Sequence, residues 1–513
     1  MKLFHCSHCG YVVFFDSFQC VHCASTLAFI PETLEMAALA PVNDAADLWE
    51  ARAPLDAFAA ARAAAAAQPA TQPEGAPPRY RLCSNRKAYN ACNFTVAYDP
   101  SEEAAADPQA AAATAATAAP ATDGQGGTVE GGAGDGEGVT HLCVSCQQTR
   151  ILPDLSDAAN QRRWTDIEMA KRRLYYSLAQ LGLERIEGET GPVFEFMADV
   201  PGEPPVMTGH ANGVITLNVA EADDDERARR RVALGEPYRT LLGHLRHESG
   251  HYFWDVLVLR GGHVKAFREK FGDERRDYGE ALKEHYARPP DNTWQEEFVS
   301  AYARAHPWED WAETWAHYLH MVDLLETAES YKTEVTVPGP LDAPRYAMVH
   351  PFGTPVPDFG AMLRAWVPLT LLLNSLTRSL GQLDAYPFAL SAGAQAKLGF
   401  VHALVHGQLV PEAVEEEPTP AADPAFDAAA VPAVAGVAGV AAVEGAGQGT
   451  GDGGSDGAGS GPVPAPVPPA DPAPQPIAAV APGLDPVTLA DPGAPAQQVP
   501  TQAVPASQAA PTQ

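Results

Sequence analysis

His247-Glu248-Ser249-Gly250-His251 sets two imidazoles four residues apart with a carboxylate between them. On a helix this spacing turns both rings to one face, where they can share one zinc. Glu248 then stands beside that face as base for a water whose pKa the metal lowers toward ~7. Leu241, Leu242, Leu245, Phe253, Trp254, Val256 and Leu257 flank the motif with the apolar faces of a core helix. The bland alternative is a pair of structural histidines. A zinc peptidase needs a third protein ligand, and the next histidine, His263, is too distant for a short-spaced His ligand. A glutamate from a second helix is therefore expected. The stretch 301–315 offers Glu309 and Glu313, four apart on one helical face. One would meet the metal and the other would orient a ligating His from behind. Spacing leaves their order open. It also leaves open a solvated polar stripe of Glu309, Glu313, His317 and His320.

The eight cysteines form four pairs: Cys6/Cys9, Cys20/Cys23, Cys83/Cys92 and Cys143/Cys146. Thiolates two residues apart on a tight turn face one tetrahedral zinc, and two such turns complete it. Gly10, directly after Cys9, suits the left-handed backbone of such a turn. The first four make one site. The last four make a second, with a wider spacing between Cys83 and Cys92 and a long separation before the closing pair. Closed four-thiolate zinc has no open position, so both sites are expected to be structural. Disulfides are the alternative. No secretory leader is visible in the first residues, so a cytoplasmic chain is expected, where structural disulfides are rare.

The elements that would position these groups follow from periodicity. Trp164 to Leu181 recurs at helical spacing and stops at Gly182. Val214–Val219 follows Asn212-Gly213, a hairpin signal, and could include an edge strand that pairs with an extended peptide. Further helices are expected over 241–259, 308–325, 359–380 and 394–405, with Pro307 at the start of one. His210 and His350 are candidate pocket residues.

Net charge is −31, and 20 of those charges lie in 99–140 and 411–513, which contain no Lys or Arg. Both stretches are Ala-, Gly- and Pro-rich and are expected to be disordered. The rest is still acidic, which disfavours a protein held on nucleic acid by bulk charge, although Arg79, Arg81, Arg86 and Lys87 form a local basic patch. The most apolar run of the globular part, 366–373, is short of a ~20-residue span, so no membrane residence is expected.

The cysteine pairs, HESGHYFWD and HPWEDWAETWAHYLH occur together and in this order. In this the chain resembles the bacterial zinc-binding metallopeptidases with an N-terminal zinc-ribbon domain, over roughly residues 1–30 and 79–410. More distantly it is similar to gluzincin peptidases of the anthrax lethal factor type. That resemblance implies Glu309 as third ligand, Glu313 behind it and Tyr302 as oxyanion helper. The low-complexity insert in the second cysteine module departs from the family pattern.

The expectation is a multidomain chain: small zinc ribbons, a mainly α (α+β) gluzincin-like metallopeptidase domain and a disordered tail. Its segments are a ribbon (1–30), an Ala-rich linker with a weak helix from Leu48 to Ala67 (31–78), a second four-cysteine module (79–156), the peptidase domain (157–410) and the tail (411–513). Three Zn2+ are expected, one catalytic and two structural. The partners are a peptide or protein substrate and a protein met through the ribbons, with neither nucleic acid nor membrane. Two rivals are a non-catalytic ribbon module binding protein or nucleic acid, and a protease aimed at nucleic-acid-bound proteins.

Overall fold

The computed structural model describes residues 1–42, 47–55, 78–100, 140–184, 191–234, 240–289, 291, 293–338 and 344–411. The expected disorder of 101–139 and of the tail from 412 lies outside these residues, as does most of the helix expected from Leu48 to Ala67.

The N-terminal part is a β structure. The hairpin β1 (Phe4–His5) and β2 (Val12–Val13) carries the first cysteine turn. Five antiparallel strands follow in the order β3 (Thr26–Ile30), β4 (Glu35–Pro41), β5 (Trp49–Ala51), β6 (Arg79–Leu82) and β7 (Thr95–Ala97). A bridge between Phe29 and Phe94 brings the first strand against the last. The Ala-rich stretch after residue 30, expected as linker, instead supplies β4 and β5. Met36, Ala37, Ala38 and Leu39 are all buried, so β4 shows no alternation that would have marked it as a strand. Because β3 to β7 form one sheet, residues 1–30 and 79–98 share a fold.

Helices α1 (Ser84–Tyr89) and α2 (Val144–Gln147) each begin directly after a cysteine, Cys83 and Cys143. Strand β8 (Thr149–Ile151) then leaves the cysteine module and pairs in parallel with β9 (Val193–Met197). The hairpin β10 (Gly209–Ala211) and β11 (Val214–Asn218) completes a sheet of order β10-β11-β9-β8 with β10 at its edge. Asn212 and Gly213 both take positive φ, 50° and 79°, as a two-residue hairpin turn requires. This sheet crosses the boundary expected at residue 156.

The remaining elements are helical. Helix α3 (Ala158–Gln180) is capped by Asp157, whose carboxylate accepts the Ala159 N–H, and is followed by Gly182 at φ 71°. After α4 (Asp224–Leu234) comes α5 (Leu241–Phe253), capped by Thr240 and extended by a π-helical turn, Trp254–Leu259. Then follow α6 (Val264–Phe271), α7 (Tyr278–Ala287), α8 (Pro307–Ser330), α9 (Phe359–Ser379) and α10 (Ala392–Val405). Pro307 occupies the first turn of α8, where a missing N–H leaves nothing unpaired. Helix α9 is long and apolar enough, by length and composition, to cross a membrane. Met362, Ala365, Trp366 and Leu369 on α9 are buried in the core.

The core is built around α5 and α8. Trp311 and Trp315 are completely buried. The Trp311 indole N–H donates to the Gly250 carbonyl at 2.7 Å, and that of Trp315 donates to Ser249 Oγ at 3.1 Å. Gly250 admits this approach, because a Cβ there would stand 2.9 Å from the Ala312 Cα and 3.1 Å from the Trp315 ring. Buried Arg246 adds an ion pair to Asp323 and donates to His320 Nδ1 at 2.6 Å. Gly250→Ala is expected to force the helices apart and cost about 1–3 kcal/mol. Denaturant unfolding of the variant beside the wild type checks this.

Candidate metal centres and active site

The first cysteine site is two matched turns. Gly10 N–H donates to the Cys6 carbonyl and Ala24 N–H to the Cys20 carbonyl, each at 2.9 Å. Gly10 and Ala24 both take positive φ, 75° and 55°. The four Sγ atoms lie within 4.8 Å of one another, with Cys6–Cys23 and Cys9–Cys20 at 3.7 Å. Sulfurs 2.3 Å from a tetrahedral zinc are ~3.8 Å apart, whereas a disulfide needs ~2.05 Å. All eight cysteines are free of disulfides. Burial opposes ionisation of Cys23, yet the Ser25 hydroxyl at 3.2 Å and backbone draw it down to about 6. The second site, Cys83, Cys92, Cys143 and Cys146, is wholly buried, with Cys92 and Cys143 Sγ at 3.6 Å. The wide Cys83–Cys92 spacing is spanned by α1 and the left-handed turn at Asn90, and both thiols meet in the one cluster.

The third centre lies between α5 and α8. His247, His251 and Glu309 bring one ligand atom each within 4.8 Å of the others. His247 Nε2 is 3.1 Å from Glu309 Oε2, and His251 Nε2 is 3.8 Å from Glu309 Oε1. Glu309 is 1% exposed, and its Oε2 has no hydrogen-bond donor. A buried carboxylate oxygen without a donor, facing two imidazole nitrogens, is a donor set made for a cation. Burial drives the His251 pKa down to about 3, leaving the ring neutral as a metal ligand must be. Burial pushes Glu309 up, but His251 and His247 bring it down to about 2.

Glu313 stands behind this set. Its Oε1 accepts from His247 Nδ1 at 2.7 Å, fixing the tautomer that leaves Nε2 for a metal, and Ser300 Oγ donates to its Oε2 at 2.6 Å. Burial pushes His247 down, but Glu309 and Glu313 on its two nitrogens raise it well above the ordinary value. Glu248 is buried, and burial raises its pKa. His244 Nε2 lies 3.7 Å from Glu248 Oε1, and His244 Nδ1 lies 3.3 Å from buried Glu221. The Tyr302 ring is 6.0 Å from that of His247.

Several residues differ from the sequence reading or were missed by it. The stripe Glu309, Glu313, His317 and His320 is not solvated: His317 Nδ1 bonds the Tyr386 hydroxyl at 2.6 Å, and His320 pairs with Arg246. His210 stacks on His251 with centroids 6.2 Å apart, while His350 is exposed and meets the Phe352 ring. Tyr278 was missed. Its hydroxyl donates to Glu309 Oε1 at 2.7 Å and shares a hydrogen bond with Tyr302. Neither Tyr278 nor Ser300 keeps a recognisable spacing to a ligand, so no sequence signal marked them.

Two thiolate sites ahead of a mainly helical domain with a His-His-Glu centre define a zinc protein of metallopeptidase-like build. The chain belongs to the family described as "Putative zinc-binding metallo-peptidase", which residues 160–404 match, and residues 3–110 match a zinc-ribbon domain. An uncharacterized protein of Mycobacterium bovis and one of Mycobacterium tuberculosis are each 33% identical over 410 residues, spanning 79% of this chain and 95% of the relative. No solved structure matches the chain. The three donor sets fit Zn2+, two as structural sites and one as a catalytic site, and the family implies a peptide or protein substrate. Metal analysis is expected to find about three zincs per chain in the wild type and in Glu248→Gln. His247→Ala should lose one.

Proposed function

We propose that the chain is a gluzincin-type zinc metallopeptidase that hydrolyses peptide bonds. The observation that carries this is the convergence of His247, His251 and Glu309 at one point, with Glu248 on the same helix and Glu313 orienting His247. In this reading His247, His251 and Glu309 hold the metal. Bound zinc would supply Lewis acidity, lowering the pKa of a water and polarising the scissile carbonyl.

The chain's own residues do the rest. Glu248 takes a proton from the attacking water and returns it to the leaving amine. Its burial suits it to that exchange, since a raised pKa makes the carboxylate a stronger base. The acid limb of kcat/KM should therefore report Glu248: activity falls as pH drops through its raised pKa and the base becomes protonated. Tyr302 turns its hydroxyl from Tyr278 to the developing oxyanion. The edge strand β10, with His210 stacked on His251, supports an extended substrate laid beside the centre.

Observations on the ribbon favour a protein partner over nucleic acid. Arg86 donates to the Leu27 and Phe18 carbonyls, and Lys87 and Arg81 face Asp47, so most of the basic patch is paired within the chain. Phe14 and Val21 are 64% and 85% exposed on the first ribbon. The eight free cysteines support a reducing, cytoplasmic setting.

Incubation of the zinc-loaded chain with a mixed peptide library, read by mass spectrometry, tests the proposal. Cleavage by the wild type is expected, with kcat lower by about 10²–10⁴-fold in Glu248→Gln and by about 10²-fold in Tyr302→Phe. Equal turnover in wild type and Glu248→Gln, or no cleavage by a chain carrying all its zinc, overturns it.

A further inference from the structure

Helix α3 belongs to two cores at once. Trp164, Ile167, Leu174 and Leu178 pack into the core that holds α5 and α8, while Tyr175 and Tyr176 join the cluster containing the cysteines of both ribbon sites. Between these faces lies Arg172, 3% exposed, with Nε and Nη1 lacking any hydrogen-bond acceptor. The anionic groups around its guanidinium are Cys92, Glu168, Cys146 and Cys143. Glu168 is one carboxylate set against two buried cations: its Oε1 accepts from Lys171 at 3.0 Å and from Thr149 at 2.7 Å, and its Oε2 has no hydrogen-bond partner. One carboxylate cannot balance both Lys171 and Arg172, and the further anionic groups around Arg172 belong to the second four-cysteine site.

That balance depends on metal. Zinc is held by thiolates, so metal binding drives protons off the four cysteines and fixes the charge of the cluster. With zinc bound, four thiolates and one divalent ion leave an excess negative charge of about two. A desolvated guanidinium beside it then faces a fixed counter-charge.

We infer that Arg172 is the counter-charge of the second zinc site, so that metal binding there fastens the cysteine module to helix α3 of the peptidase domain. The site is thereby more than a local staple. Its occupancy bears on the helix that packs against the HExxH helix. Arg172 acts as a positioning residue through charge and touches no substrate.

The test compares full-length wild type with Arg172→Met, Arg172→Gln and Arg172→Lys. Zinc transfer to excess chromophoric chelator should show one ribbon zinc leaving about tenfold faster in the two neutral variants, and within about threefold of wild type in Arg172→Lys. The other zincs serve as internal reference. In the cobalt-substituted proteins the sulfur-to-cobalt charge-transfer band should move to lower energy in the neutral variants, because a nearby positive charge stabilises the sulfur donor orbitals. A cavity alone would not move it. Unchanged release with an unmoved band, or loss in Arg172→Lys equal to that in Arg172→Met, overturns the inference. Should the neutral variants fail to fold, amide exchange of residues 158–180 in wild type before and after zinc removal decides it. Faster exchange is expected, and unchanged exchange overturns it. None of these outcomes depends on peptidase activity.

Discussion

The close approach of α5 and α8 is the constraint on which the centre depends. Two ligands come from one helix and the third from the other, so the separation of their axes sets the separation of His247, His251 and Glu309. Gly250 fixes that separation from the inside, because its missing side chain is occupied by the backbone of Ala312 and the ring of Trp315. The indole hydrogen bonds to Gly250 and Ser249 then fix rotation and register. Tryptophan serves well here, giving a large apolar face together with one directed donor. The motif tryptophans are thus part of how the metal ligands are aimed, although neither touches the centre.

Desolvation is the second force at work. Glu309, Glu248, Glu221, Arg246 and Glu168 are all buried, and each would be costly alone. They are arranged so that nearly every one faces a partner from a different element: Arg246 on α5 meets Asp323 on α8, and Tyr278 on α7 meets Glu309 on α8. Such pairs align helices that apolar packing alone would allow to slide. Glu309 Oε2 has no donor, and it lies 3.1 Å from His247 Nε2 at the point where His247 and His251 converge. An orphaned carboxylate oxygen that faces two imidazole nitrogens marks where a cation completes the design.

Much of this was legible in the chain, and the limits are physical. The four-residue spacing of His247 and His251 and of Glu309 and Glu313 translates directly into a shared helical face, so the convergence could be expected before any coordinates. Tandem cysteines report their turn geometry in the same local way. Helix bounds such as Pro307 and Gly182 follow from backbone chemistry within one or two residues. Tyr278 and Ser300 could not be read, because they reach the centre through tertiary packing of a separate helix and loop. Strand β4 was hidden for another reason: Glu-Met-Ala-Ala-Leu-Ala has the composition of a helix, and only pairing on both sides makes it a strand. The crossing of the expected boundary at residue 156 by β8 likewise rests on long-range pairing that no local pattern encodes.

The surroundings of the three donor sets differ in sign, and that difference follows from ligand charge. Four thiolates around a divalent cation leave a negative site, whereas two neutral imidazoles and one carboxylate leave a positive one. Around the buried thiolate set stands Arg172, and near the more exposed one Arg52 donates to Ser25, the neighbour of Cys23. Around the His-His-Glu set the charged groups are Glu248 and Glu313, with Glu221 one step further through His244. Each environment opposes the charge its site would carry, which lets all three be buried within one fold. It also separates their roles: cations close off the thiolate sites electrostatically, while carboxylates around the third keep proton acceptors beside the one centre whose ligand set leaves a coordination position open.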